Sequence, residues 1–260
     1  SETREHLADE NTLIISAPPG AGKSTLLPLA LMEEVWLKGQ KILMLEPRRL
    51  AAKSIAMRMA SLIGEEVGQH IGYRIRFEKR VSKETRIEVL TEGILTRMLQ
   101  SDNALEGVGM VIFDEIHERS LHADLALALC REAQDILRPD LRIMLMSATI
   151  NSTELSNRLN AKVIESKGRQ YPVELIYTDA SDVRLLPEIT ANTVVRAVKE
   201  QKGDTLVFLP GEGEIRKCEA FLKAQLSDFM IYPLFGMLAS NQQQAAIMPD
   251  RQGRRKIVLA

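Results

Sequence analysis

The stretch Ala17-Pro18-Pro19-Gly20-Ala21-Gly22-Lys23-Ser24-Thr25 decides how the chain folds. It follows a short apolar run, TLIIS at residues 12–16, that reads as a buried parallel strand. It opens into residues 26–36, whose apolar positions recur at helical spacing. Strand, glycine-containing turn and helix in that order make a phosphate-binding loop. Glycines let backbone N–H groups close around phosphate oxygens, and the helix offers its positive N-terminal end to the same anion. In this pattern Lys23 reaches the β- and γ-phosphates and the Ser24 hydroxyl ligates Mg²⁺. The strict motif begins with glycine, where this chain has Ala17; Gly20 and Gly22 remain where the turn is tightest.

At 260 residues the chain has room for one or two domains with a real core. With 27% charged and 45% hydrophobic residues it has an ordinary globular composition. The net charge of -1 gives no global basic field, so a site for a polyanion must be local. Cys130 and Cys218 lie far apart and form no C-x-x-C pair, which fits a reduced, cytoplasmic chain. No apolar run reaches membrane-spanning length, and the N-terminus lacks a secretory pattern. The chain begins Ser1-Glu2-Thr3-Arg4, without methionine, and its start is expected not to be native.

A second strand is expected at KILML (41–45), punctuated by Pro47, with a helix over 48–63 stopped by Gly64. Residues 71–86 crowd together Tyr73, Arg74, Arg76, Phe77, Lys79, Arg80, Lys83 and Arg86. Two readings of that stretch stay open: an extended segment that touches a phosphate backbone, and a solvated hairpin. A strand at 86–90 leads to Thr91-Glu92-Gly93 and a helix to about Gln100. Residues 109–113 (GMVIF) run straight into Asp114-Glu115-Ile116-His117, a long helix spans about 120–137, and RIMLM (142–146) delivers Ser147-Ala148-Thr149. Such alternation means a parallel sheet covered on both faces, with its ligand beyond the carboxyl ends of the strands. The phosphate loop, Asp114 and Ser147 all fall on that edge. Residues 167–172 read as a linker. A second alternation follows: strand 173–177, helix 187–201, strand 205–209, helix 213–226, strand 230–233, helix 241–248 and strand 256–259. The last strand stops at the chain end, so the sequence is expected to be a piece of a longer protein.

An acid after an apolar strand is the other half of a nucleotide triphosphatase. Asp114 is placed to hold Mg²⁺ opposite Ser24, and Glu115 to orient and deprotonate the attacking water. His117, on the same turn, can reach Ser147 or Thr149 as a relay. His117 and His122 are five apart, not the i, i+4 of a zinc helix. Met144 and Met146 fall on an apolar strand and read as core.

With these residues in hand the chain resembles the DEAH/RHA group of superfamily 2 helicases, and within it the bacterial HrpB-type ATP-dependent helicases. The residues that carry the resemblance are APPGAGKST (17–25), LEPRRLAA (45–52), TEGILTRM (91–98), DEIHERS (114–120), SAT (147–149) and LVFLPG (206–211). The resemblance implies a RecA-like domain over 1–170 and the first part of a second over 171–260, with ATP and Mg²⁺ between them. It implies single-stranded nucleic acid across the domains, RNA ahead of DNA. By the same resemblance Arg48, Arg49, Thr91 and Gly93 contact strand phosphates, Ser147 and Thr149 couple hydrolysis to movement, and Arg58 stacks on adenine. Ile116 replaces an alanine of the family, and Met248 stands near a position where relatives place an aromatic. The family's next motif and its arginine fingers are not among these residues. Nucleotide binding with weak hydrolysis is therefore expected, since such an arginine supplies roughly 10³–10⁵ in rate. A phosphate-loop ATPase that remodels proteins or ribonucleoprotein, and a nucleotide-gated binding module, are the alternatives.

Overall fold

The computed structural model describes residues 2–18, 20–148, 152–166, 172–178, 182–250 and 252–260. Contacts divide the chain into two compact units, Ser1–Pro172 and Val173–Ala260. In chain order the first unit comprises α1 (Glu2–Asp9), β1 (Thr12–Ser16), α2 (Leu26–Leu31), β2 (Lys41–Leu45) and α3 (Arg49–Leu62). It continues with β3 (Ile71–Ile75), β4 (Glu78–Arg80), β5 (Ile87–Leu90), α4 (Glu92–Ser101) and β6 (Val108–Phe113). It ends with α5 (Leu121–Ile136), β7 (Arg142–Ser147), α6 (Ser152–Leu159) and β8 (Lys162–Glu165).

The eight strands form one sheet in the order β4-β3-β5-β2-β6-β7-β1-β8. Every pairing is parallel except β3 with β4. Side chains alternate across a strand, so neighbours in sequence enter opposite cores. Leu13, Ile15, Ile42, Met44, Met110, Ile112, Met144 and Met146 join α1, α2 and α3 on one face. Ile14, Leu43, Leu45, Val111, Phe113, Ile143 and Leu145 join α4 and α5 on the other. Both faces are dry, which is why these strands read as unbroken apolar runs.

Register then decides where chemistry can sit. Leu90, Leu45, Phe113, Leu145 and Ile14 lie in one row across the sheet. The residues just beyond the strands are still tied to a neighbour. Thr91 N donates to Arg74 O (3.3 Å), Glu46 N to Leu90 O (2.9 Å), Asp114 N to Leu45 O (3.0 Å) and Ala17 N to Ser147 O (3.1 Å). The carboxyl edge is thus a fixed row of backbone from which side chains project.

The second unit holds α7 (Leu186–Glu200), β9 (Thr205–Val207), α8 (Glu212–Gln225), β10 (Met230–Pro233), α9 (Ser240–Ile247) and β11 (Lys256–Leu259). Its parallel sheet has the order β10-β11-β9, over a core that includes Val194, Ile215, Cys218, Leu222, Ile257 and Leu259. Two cations close helix ends here, where carbonyls lack partners. Arg255 donates to the carbonyls of Val198, Gln201 and Gly203 after α7, and Lys256 Nζ to those of Ala246 and Met248 after α9.

Three differences from the sequence reading have physical causes. The helix expected over 26–36 stops at Leu31, and Val35–Leu37 form a separate 3-10 turn. That turn buries Leu37 and lays Trp36 against Arg142, with the guanidinium 4.2 Å from the ring centroid. The strand expected at 173–177 is absent: Val173, Leu175 and Tyr177 are exposed and pair with nothing in either sheet. Elements α1, α6 and β8 were not expected. Of the stretch 71–86, residues 71–80 form the β3–β4 hairpin, and Met144 and Met146 are core. Both cysteines are free and buried.

Candidate functional site

The phosphate loop leaves β1 at Ala17. Gly20 and Gly22 both have φ of +80°, a conformation that a side chain disfavours. At Gly22 a Cβ would also meet Leu26 Cδ1 at 3.0 Å. Ala17 has no such demand: it is buried, and its backbone bonds to Ser147 on one side and accepts from Lys23 Nζ (3.3 Å) on the other. Alanine therefore fits where the strict motif has glycine. Thr25 N and Leu26 N turn back on Gly22 O, at 3.3 and 2.9 Å. The N–H groups of Gly22, Lys23 and Ser24 have no acceptor among the described residues. Adjacent donors left without an acceptor in a glycine turn are what an anion cradle is made of. With α2 only six residues long, the cradle depends on these amides more than on a helix dipole.

Opposite the loop stand the acids that end β6. Lys23, only 6% exposed, places Nζ 3.4 Å from Glu115 Oε1. Asp114 accepts from Glu115 N (2.9 Å) through Oδ1, while its buried Oδ2 has no hydrogen-bond partner among the described residues. Burial raises the Asp114 pKa; the nearby Ser24 hydroxyl opposes that shift and the Glu115 charge adds to it. A buried carboxylate oxygen without a partner, beside a serine hydroxyl, is the donor set that a hard cation takes. Glu115 sits at φ +49°, a left-handed backbone rare for its type.

His117 lies on the turn Ile116–Glu118. Its Nδ1 is 3.4 Å from Glu115 Oε2 and a long 3.5 Å from Ala148 N. A bare Nδ1 accepts from the amide; a protonated one donates to the carboxylate; it cannot do both. His117 therefore stands between Glu115 and the end of β7, beside buried Ser147. Thr149 and Pro19 lie outside the described residues.

On the same edge, over β2 and β5, the charges are exposed. Arg48 precedes α3 and Arg49 begins it; Thr91 precedes α4 and Gly93 lies in its first turn, where an added Cβ would meet nothing. Arg48 Nη2 pairs with Glu118 Oε1 at 2.6 Å, whereas Arg49 and Arg58 have no ion pair among the described residues. Arg58 is exposed on α3. The hairpin tip continues the row past β5: Phe77, at φ +67°, is exposed, with the Arg76 guanidinium 4.7 Å from its ring centroid.

Two residues were missed from sequence. Glu46, beside Asp114 by register, is 3% exposed, and its pKa is pushed up to about 7 by burial first and then by Asp114. Its Oε1 accepts from Arg48 N at 3.3 Å. Glu118 joins the acid turn to Arg48. The signal for Glu46 was its place directly after a strand, and it reads as ordinary charge until the register is known.

The sequence profile of the DEAD/DEAH box helicase family matches residues 1–157. The chain belongs to that family. Among DEAD/DEAH box helicases, the chain is 47% identical over 250 residues to the ATP-dependent RNA helicase HrpB of Escherichia coli (strain K12), covering 95% of this chain and 31% of that protein. It is 37% identical over 264 residues to the ATP-dependent RNA helicase HrpA of Borreliella burgdorferi, covering 98% of this chain and 32% of that protein. The crystal structure of the Escherichia coli DEAH/RHA helicase HrpB superposes with a TM-score of 0.90 at 45% identity, over all of this chain and 33% of that one. The chain thus spans about a third of the length of these relatives. The fold is RecA-like, as the resemblance implied, and the family uses nucleotide. No helix among the described residues is long and apolar enough to cross a membrane.

Proposed function

We propose that this chain is the ATP-binding part of an RNA helicase, in which Lys23, Ser24, Asp114 and Glu115 form the hydrolytic site. The observation that carries the reading is convergence. The Lys23 amine lies 3.4 Å from the Glu115 carboxylate, at the edge where Asp114 follows β6, and the amides of residues 22–24 have no acceptor among the described residues; these are the groups that a triphosphate with its metal calls for. In this reading residues 17–25 cradle the phosphates. Ser24 and Asp114 hold Mg²⁺, which when bound neutralises charge on the β- and γ-phosphates. Glu115 orients and deprotonates the attacking water. His117 links that carboxylate to Ser147 and Thr149, and Arg58 serves the adenine. Arg48, Arg49, Thr91 and Gly93 hold phosphates of a single strand, and the hairpin tip at Arg76 and Phe77 extends the same track. The relatives' printed names favour RNA. Residues 173–260 form the start of the second RecA-like domain, and the setting is cytoplasmic.

ATPase assays with RNA and DNA homopolymers test the proposal. Strong stimulation by single-stranded RNA is expected. Indifference to both polymers would instead fit an ATPase that remodels proteins. Slow turnover by these residues alone, alongside firm nucleotide binding, is part of the proposal.

A further inference from the structure

The segment 114–120 carries Asp114, Glu115 and His117, and two of its residues are tied to the two elements assigned above to the nucleic acid. Near its middle Glu118 Oε1 binds Arg48 Nη2 at 2.6 Å. At its end Ser120 Oγ donates to Glu92 Oε2 at 2.6 Å, and Glu92 lies between Thr91 and Gly93. The segment is not relaxed by itself. Glu115 and Arg119 both have left-handed φ, +49° and +45°, which persists only where surroundings impose it. The contacts that tie the segment to its surroundings are the Arg48 and Glu92 links, the ladder bond from Asp114 N to Leu45 O, and the pairing of Arg119 with Asp124.

Arg48 is the telling member. Its side chain is 71% exposed, on the edge where a strand phosphate is expected, yet its guanidinium is already engaged by a carboxylate. A guanidinium fork donates to carboxylate and to phosphate in the same geometry, so the two compete for it. An ion pair this exposed has little net strength, and a phosphate displaces it at little cost. We propose that Glu118 stands in for a strand phosphate on Arg48 when no nucleic acid is bound. Displacement of Glu118 by the strand then frees the segment that positions Glu115. Glu118 is a positioning residue: it touches neither nucleotide nor strand, and acts by holding and then releasing its own turn. This inference rests on the nucleic-acid reading of Arg48 given above.

The test is a double-mutant cycle on the full 260-residue chain, with a fluorescently labelled oligouridylate as probe and anisotropy as readout. Arg48→Ala should weaken binding. Glu118→Gln should tighten it about two- to fivefold, the worth of an exposed pair. In the Arg48→Ala background the same change should do nothing. A gain that survives in that background is a general charge effect and overturns the stand-in, as does no gain in the wild type. Arg48→Ala without effect overturns the nucleic-acid reading itself, a separate failure. A second readout tests release: the affinity for ADP with Mg²⁺, by calorimetry, with and without saturating oligouridylate. Coupling between two ligands is reciprocal, so RNA should shift ADP affinity in the wild type. That shift should fall toward none in Glu118→Gln. An undiminished shift, or none in the wild type, overturns the release.

Discussion

The two halves of the carboxyl edge in the first unit use charge in opposite ways. Over β1 and β6, Lys23 and Asp114 are buried, and Asp114 Oδ2 has no hydrogen-bond partner among the described residues. Over β2 and β5, Arg48 and Arg49 face solvent, and the pair of Arg48 with Glu118 is exposed. Buried charge is held in place at a cost, and removing one partner strands the other. Exposed charge gives little energy to any single contact and is screened by salt. The first arrangement suits a small ligand bound in fixed geometry; the second suits a polymer that must slide. The boundary between them is Glu46 and Glu118, which face both ways.

That contrast can be broken in several places. The largest effect is expected from Glu115→Gln, which should slow single-turnover ATP hydrolysis by about 10³ while leaving nucleotide affinity within a few-fold, as for loss of a general base. Equal losses of binding and hydrolysis would move Glu115 from water to nucleotide. Next is the packing beneath the edge. Leu43→Ala, at a fully buried position in β2, should cost about 2–5 kcal/mol in urea unfolding. Leu206→Ala, at an exposed position of β9, should stay within about 0.5 kcal/mol. A large loss at Leu206 would mean that its face is covered in solution.

The third prediction concerns pH. Because its folded pKa is raised to about 7 from 4.5, Glu46 keeps a proton that the unfolded chain has already released. The stability this gives is complete below 4.5 and lost as pH rises through about 7. Glu46→Gln, which imitates the protonated form, should therefore gain on the wild type between pH 5 and 8. A gain on the order of 3 kcal/mol is expected, by unfolding without nucleotide or metal. Parallel curves would place the Glu46 carboxylate in water. The smallest effect belongs to the exposed half: Arg49→Ala should weaken RNA binding evenly across sequences and lower the salt slope by about one. An unchanged slope would remove Arg49 from the track.

Much of this was legible in the chain itself, for reasons that differ by element. Strands such as 12–16, 41–45, 230–233 and 256–259 were read with the bounds that the structure gives them. Short apolar runs between breakers have no other stable home. Residues 173–177 show the limit, since apolar content without a neighbouring strand makes no sheet. Helix α2 shows another: nothing local ends it at Leu31, and the break comes from packing Trp36 and Leu37. In the site, Lys23 and Asp114 were visible because phosphate chemistry fixes their types and places. Glu46 and Glu118 were not, because their meaning lies in the pairing of β2 with β6 and in one contact across 70 residues.

The central claim is that Lys23, Ser24 and Asp114 bind one nucleotide–magnesium unit. Calorimetric titration of a non-hydrolysable ATP analogue, with Mg²⁺ and with EDTA, tests it most directly. Binding should depend on Mg²⁺ in the wild type and weaken about a hundredfold or more in Lys23→Ala, which loses a charge-assisted contact. The Mg²⁺ dependence should vanish in Asp114→Asn. Affinity that ignores both the metal and Lys23 would contradict the account.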